Sequence, residues 1–374
     1  MKKLKIAYSL LLLSAVAGFT SCDKNDDPKE PTVNETLNGA FVLNQGSYQM
    51  NNAGLAYFST DNSDSPLVAD LFFDVNKYKL GDNATDIAKY KGDIYISMTG
   101  SNCIYKLNNE GKVTGRLLFH TDEELQGGVR YMTFKDDCLY ASFYGGVVAK
   151  ISTDKLEILS KLKTGGANLE GIAEANGYIY VADSYQSTYD AATGQSDIVY
   201  SDKLYVIDSK SFTVTGTVQV SVNPNKLLAH NGKLFLISWG NYADKGYSFQ
   251  MIEPAQANKV TELGVATDMG IGNGKIYLVN SETDWTTWST TNTWFSYDIN
   301  AGTMNNASFM TNAPEDLNSD HISMISVDDL TGEVYVGTTQ YTLGNGKLYR
   351  FSKNGEYKTN FDCGGQNPIG AVFL

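Results

Sequence analysis

Three features of the sequence predict an all-β chain folded as a seven-bladed β-propeller of four-stranded antiparallel blades, with the ring closed by its own two ends. A short phrase recurs six times, Asn-Gly pairs precede three of its copies, and an unpartnered strand-like run stands at each end of the repeat array. The phrase is a turn residue or two, a spacer, and an aliphatic–aromatic–aliphatic run. It reads Gly92-Asp93-Ile94-Tyr95-Ile96, Asp137-Cys138-Leu139-Tyr140-Ala141 and Gly177-Tyr178-Ile179-Tyr180-Val181 in the first half. Gly232-Lys233-Leu234-Phe235-Leu236, Gly274-Lys275-Ile276-Tyr277-Leu278 and Gly332-Glu333-Val334-Tyr335-Val336 complete it. Asn-Gly at 176–177, 231–232 and 273–274 marks tight hairpins, because both turn residues need positive φ.

Each phrase has neighbours. One short run precedes it, as in Ile87-Ala88-Lys89-Tyr90, and two follow, as in Leu204–Asp208 and Gly216–Val220. Four strands repeating at roughly 40 to 58 residues match a propeller blade. The seventh blade is divided between the termini. Ala40–Asn44 reads as a second strand, Leu55–Phe58 and Val68–Phe72 as its third and fourth, and Pro368–Leu374 as the missing first. Joining them removes the open edges that invite aggregation. Beyond the first residues, no segment sustains helical periodicity.

The N-terminus predicts export. Lys2, Lys3 and Lys5 precede an apolar stretch, Ile6 to Phe19, too short to span a bilayer and arranged as a secretory leader. It ends in Phe19-Thr20-Ser21-Cys22, which resembles a lipobox, with residues 1–21 removed and Cys22 acylated. Residues 22–37 are polar, acidic and proline-bearing, a tether with too little apolar surface to fold, leaving 38–374 as the propeller. The expected location is the outer membrane, lipid-anchored and exposed at the cell surface.

Net charge is −13. An acidic chain repels phosphate backbones, which argues against nucleic acid as a partner. Cys103, Cys138 and Cys363 stand in or beside strand-like runs and read as free thiols. No Cys-x-x-Cys, His-Glu-x-x-His, Gly-x-Ser-x-Gly or phosphate-cradling loop occurs, so catalysis is not expected and neither a metal nor a cofactor is required.

In a propeller, the connections from second to third strand share one face with those leading into the next blade. Here they read as long loops rich in aromatics: Tyr48, Tyr144, Tyr185, Tyr189, Trp239, Tyr242, Tyr247, Trp285, Trp288 and Tyr341, with Trp294 at the edge of one. Such rings are costly to leave in water without a purpose, although some will staple loops to the body. Tyr48, Tyr144, Tyr185, Trp239, Tyr242, Trp285, Trp288 and Tyr341 are the candidate ligand-facing set. Counting back from each turn places a second, polar set at the channel mouth: Asp86, Arg130, Glu170, Asn225, Asp268 and His321, with Asp320 beside the last. Their mixed charges suit a ligand with amides and hydroxyls better than a calcium cage.

The run Phe41-Val42-Leu43-Asn44-Gln45-Gly46-Ser47, then Asn51–Phe58 and Leu80–Ile87, resembles the YncE-like surface-lipoprotein β-propellers of Bacteroides-type bacteria. Within that family the resemblance is to the BtuG lipoproteins. It implies capture of cobalamin or a related corrinoid at the loop face and delivery to a TonB-dependent outer-membrane transporter. A glycan- or protein-binding propeller is the alternative reading. A metal-dependent lactonase- or lyase-type enzyme is the third.

Overall fold

The computed structural model describes residues 38–60, 67–190, 193–284, 286–287 and 289–374. The leader, Cys22 and the acidic tether lie outside the described residues, as do Trp285 and Trp288. Seven antiparallel sheets follow one another around a ring. Blade I joins Gly39–Asn44 and Gly54–Ser59 from the start of the domain to Pro368–Phe373 from its end. Blade II holds Ala84–Tyr90, Asp93–Met98, Cys103–Leu107 and Val113–Leu118. Blade III holds Val129–Lys135, Cys138–Phe143, Val147–Ser152 and Ile158–Lys163. Blade IV holds Asn168–Ala175, Tyr178–Asp190, Gln195–Asp208 and Thr213–Gln219. Blade V holds Pro224–His230, Lys233–Ser238, Ser248–Glu253 and Lys259–Gly264. Blade VI holds Asp268–Gly272, Lys275–Asp284, Ser289–Asp298 and Thr303–Asn305. Blade VII holds His321–Val327, Val334–Thr339, Lys347–Phe351 and Tyr357–Asp362.

The recurring phrase has a packing reason. Alternate residues of a strand point to opposite faces, and each blade is sandwiched between two others. Ile94 and Ile96 therefore enter the cluster shared with blade I, while Tyr95 enters the one shared with blade III. The central aromatic also makes a polar connection. The Tyr95 hydroxyl donates to the Thr153 carbonyl of blade III, Tyr140 to Ser209 of blade IV, and Tyr180 to the Asn258 side chain of blade V. Second strands are consequently buried on both faces, whereas outer strands such as Val113–Leu118 and Tyr357–Asp362 alternate between partial burial and exposure. The Asn-Gly turns adopt positive φ at both residues, as at Asn176 (53°) and Gly177 (86°).

Ring closure is made by backbone pairing. Ala40 to Asn44 pair with Phe373 back to Pro368, and Leu374 N–H donates to Gly39 C=O at 2.9 Å. The strand Gly39–Asn44 runs from that end of the ring to the other, where the Gln45–Ala53 connection carries Tyr48.

One strand expectation fails. Val68–Phe72 is not the fourth strand of blade I: only Val68 bridges to Tyr57, and Leu71–Asn76 is helical. Asp70 caps that helix by accepting from Phe73 N–H, and Phe72 is buried edge-on against Tyr105 of blade II. The Asn76 side chain accepts from Val113 N–H and donates to Gly111 C=O, fixing the helix to blade II. Local capping and a buried aromatic outweigh the weak strand pattern. Cys103, Cys138 and Cys363 are free, and two of them are buried. Among the described residues no helix is long and apolar enough to cross a membrane.

Candidate ligand-binding face

Two of the expected loops are hairpin extensions. The blade IV pair runs Tyr178–Asp190 and Gln195–Asp208, with Tyr185 opposite Tyr200 and Tyr189 opposite Ser196. The blade VI pair runs Lys275–Asp284 and Ser289–Asp298. Alternating Ser, Thr and Tyr residues favour the extended backbone beyond the blade body.

Around the blade IV extension the rings form an arc. Tyr144 of blade III meets Tyr185 edge-on at 6.3 Å, Tyr185 meets Tyr200 at 6.4 Å, and Tyr200 meets Tyr242 of blade V at 5.9 Å. Although Tyr242 is largely exposed, partial shielding of its hydroxyl, helped by the neighbouring phenols of Tyr247 and Tyr200, pushes it up to about 12. Burial also raises Tyr247, with Tyr341 of blade VII as the next cause. Tyr341 in turn lies 5.1 Å from the His321 ring. Ring contacts thus join tyrosines of blades III, IV and V, with Tyr341 of blade VII standing beyond them, and Tyr242 and Tyr341 remain 64% and 55% exposed. Tyr48 and Tyr189 are also exposed, the latter near the tip of the extension. Tyr200 was absent from the expected set; only the hairpin register, which places it opposite Tyr185, reveals it.

The tryptophans divide differently. Trp239 is partly buried against the apolar cluster between blades V and VI, together with Tyr247. That contact fastens its loop to the blade body and leaves the rest of the indole at the surface. Trp294 is buried in the cluster between blades VI and VII, and its indole N–H has no hydrogen-bond partner.

The polar set stands at the starts of the innermost strands, and most of it is internally paired. Arg130 contacts Glu170 through Nε at 2.9 Å and Nη2 at 2.8 Å, with its guanidinium 4.8 Å from the Tyr144 ring centroid. The Tyr144 hydroxyl donates to the other Glu170 oxygen at 2.5 Å. Burial opposes the charge on Arg130, yet Glu170, Tyr131 and Tyr144 together outweigh it and the pKa rises; burial and then Glu170 raise Tyr144. Lys226 pairs with Asp268. Asp86 accepts from Met132 N–H at 2.9 Å, and burial pushes its carboxyl up to about 6. Asn225 is buried, and His321 approaches the Thr290 hydroxyl at 3.4 Å. Asp320 accepts from the Tyr349 hydroxyl at 3.4 Å.

Sequence counting missed Lys226 and Tyr131. Tyr131 is raised chiefly by burial and then by Glu170, and the Arg130 guanidinium stands 5.7 Å from its ring centroid. The reason for the miss is structural. The first strands carry bulges near the mouth, between Ala84 and Asp86, Val129 and Met132, Leu169 and Ile172, Pro224 and Lys226, and Ile322 and Met324. A bulge re-aims side chains and upsets counting. Among the described residues no three His, Cys, Asp or Glu side chains gather as a metal site.

Fold and face thus define a β-propeller with an aromatic rim. No family model matches the chain, and no curated protein matches it. Among solved structures it is similar to a quinoprotein alcohol dehydrogenase-like protein of Bacteroides thetaiotaomicron, at 16% identity and TM-score 0.61, over 90% of this chain and 78% of that one. It is also similar to apo AztD of Citrobacter koseri, at 10% identity and TM-score 0.53, over 90% and 97% of the two chains. Hydrazine synthase of Kuenenia stuttgartiensis matches at 13% identity and TM-score 0.53, over 70% and 74%. At these identities the similarity is one of fold.

Proposed function

We propose that this chain is a cell-surface capture protein that binds a corrinoid of the cobalamin class on the tyrosine arc without transforming it. The observation that carries this reading is the arc itself: tyrosine rings in contact across blades III to V, with exposed residues at Tyr242 and, on blade VII, Tyr341. A corrinoid is broad and flat with amides around its edge. Such a ligand calls for an open face offering ring surface and hydroxyl groups. Half-burying one aromatic contributes roughly 2–3 kcal/mol. Three such contacts give about 6–9 kcal/mol against an association cost of about 4–15 kcal/mol, so tight capture also needs amide hydrogen bonds and preorganised loops. The closed ring and the paired hairpin of blade IV supply that preorganisation.

In this reading the protein is anchored through acylated Cys22, needs no cofactor, and passes its ligand to a TonB-dependent outer-membrane transporter. Calorimetric titration of the purified protein with cyanocobalamin should give a saturable one-site isotherm. No heat at micromolar concentrations would overturn the corrinoid assignment, and saturable binding of a soluble polysaccharide in its place would establish the glycan reading.

A further inference from the structure

A second concavity lies at the root of the blade IV hairpin. It is a half-open cleft of about 320 Å³ between the Gly165–Ala167 connection and the strand residues Asp183, Gln186 and Val199 to Lys203. Asp183 is 6% exposed, and one of its carboxylate oxygens accepts from Ala167 N–H at 3.1 Å. The glycine loop is shaped to this carboxylate. A Cβ on Gly166 would stand 2.6 Å from Asp183 Oδ1 and 2.9 Å from the Tyr205 ring, so only glycine closes over it. Beside it the Ser201 hydroxyl is shielded from solvent and has no hydrogen-bond partner. A buried hydroxyl without a partner is uncommon and costs about 1–3 kcal/mol, unless a ligand or water completes it.

We propose that this cleft binds a neutral carbohydrate ring the size of one hexose. Its lining is rich in acceptors, with the Asp183 and Asp202 carboxylates and the Gln186 amide beside the Ser201 hydroxyl. That chemistry fits a ligand carrying many hydroxyl donors. Asp183 and Asp202 outnumber the single cation of the lining, Lys203, so the cleft keeps a net negative charge that disfavours a phosphate or an organic acid. A largely polar wall gives an apolar ligand little to bury. A divalent cation would want more oxygen ligands than two acids supply, one of them already engaged by Ala167. Tyr200 and Val199 add the apolar surface on which the C–H face of a sugar rests. The volume stands at the small end of ligand pockets, enough for one ring and too little for a corrinoid. The cleft borders the arc through Tyr200, but its polar groups Asp183, Gln186, Ser201 and Asp202 take no part in the arc, so substitutions there test it apart from the corrinoid reading.

Saturation-transfer NMR on the full chain, with the methyl glycosides of glucose, galactose and mannose, tests the proposal. At least one should show transfer with a Kd on the order of 1 mM. Ser201→Ala and Asp202→Ala should each weaken it about tenfold, while cyanocobalamin titrations stay as in the parent protein. Ser201→Ala removes an oxygen that has no internal partner, so its melting temperature should not fall, which separates lost binding from lost fold. Absence of transfer from all three glycosides at about 10 mM would overturn the proposal. So would transfer that survives both substitutions.

Discussion

The channel mouth and the tyrosine arc share one end of the ring, and they use polar groups in opposite ways. At the mouth, Arg130 is held by Glu170, Lys226 by Asp268, and Asp86 takes the Met132 N–H. Along the arc the rings touch one another edge-on while Tyr242 and Tyr341 stay largely exposed. Charges that satisfy one another contribute to the fold, and surface left open is available to a ligand. Residue type alone does not separate these roles, since Tyr144 takes part in both.

The contrast can be broken at its foundation by deleting Pro368–Leu374. That removes the innermost strand of blade I and exposes the edge of Gly39–Asn44, so both regions should be lost together. The expected result is no cooperative melting transition by circular dichroism and aggregated material on gel filtration.

A narrower break is Glu170→Ala, which leaves the buried Arg130 guanidinium without its counter-charge. Stability should fall by about 3 kcal/mol, read as a lower urea midpoint at unchanged slope. An unchanged midpoint would show that the pair contributes nothing.

Asp86 should behave in the opposite sense. Its folded pKa of about 6 lies above the ordinary aspartate value of 3.8, so the folded state holds the proton more tightly than the unfolded chain. Its contribution therefore becomes less favourable as pH rises from about 4 through 6. Asp86→Asn should stabilise the protein by about 1–2 kcal/mol at neutral pH and flatten that slope. Glu333 acts in a lower window. Burial works against its charge, but Lys358 and Arg350 outweigh it and depress its pKa, so its stabilisation is lost only as pH falls below the ordinary glutamate range. Urea midpoints measured at a series of pH values separate the two.

The smallest effect on stability should come from Tyr242→Ala, under about 0.5 kcal/mol for an exposed ring. Under the corrinoid reading the same change should weaken cyanocobalamin binding by roughly tenfold or more, about 2 kcal/mol. Loss of stability with unchanged affinity would make Tyr242 a staple of its loop rather than a ligand contact.

The blades were legible because their signal repeats: each Tyr in the phrase faces the same inter-blade slot, so spacing alone revealed the ring and its closure. The helix at Leu71–Asn76 was not legible, since its cap and the burial of Phe72 against Tyr105 depend on blade II. At the mouth, counting reached Asp86, Arg130, Glu170 and Asp268 but stopped at Asn225, one residue before the Lys226 that pairs across the bulge. Tyr200 is not legible because it stands in a long hairpin whose register with Tyr185 appears only once the two strands pair, and the packing of Trp239 against blade VI is likewise a tertiary fact.

The direction of the strand Gly39–Asn44 has a consequence for orientation. The domain's chain begins at the end of the ring opposite Tyr48, hydrogen-bonded there to its last residue. A tag fused at residue 38 would therefore hold the ring from the end opposite Tyr48 and leave the tyrosine arc open to solvent.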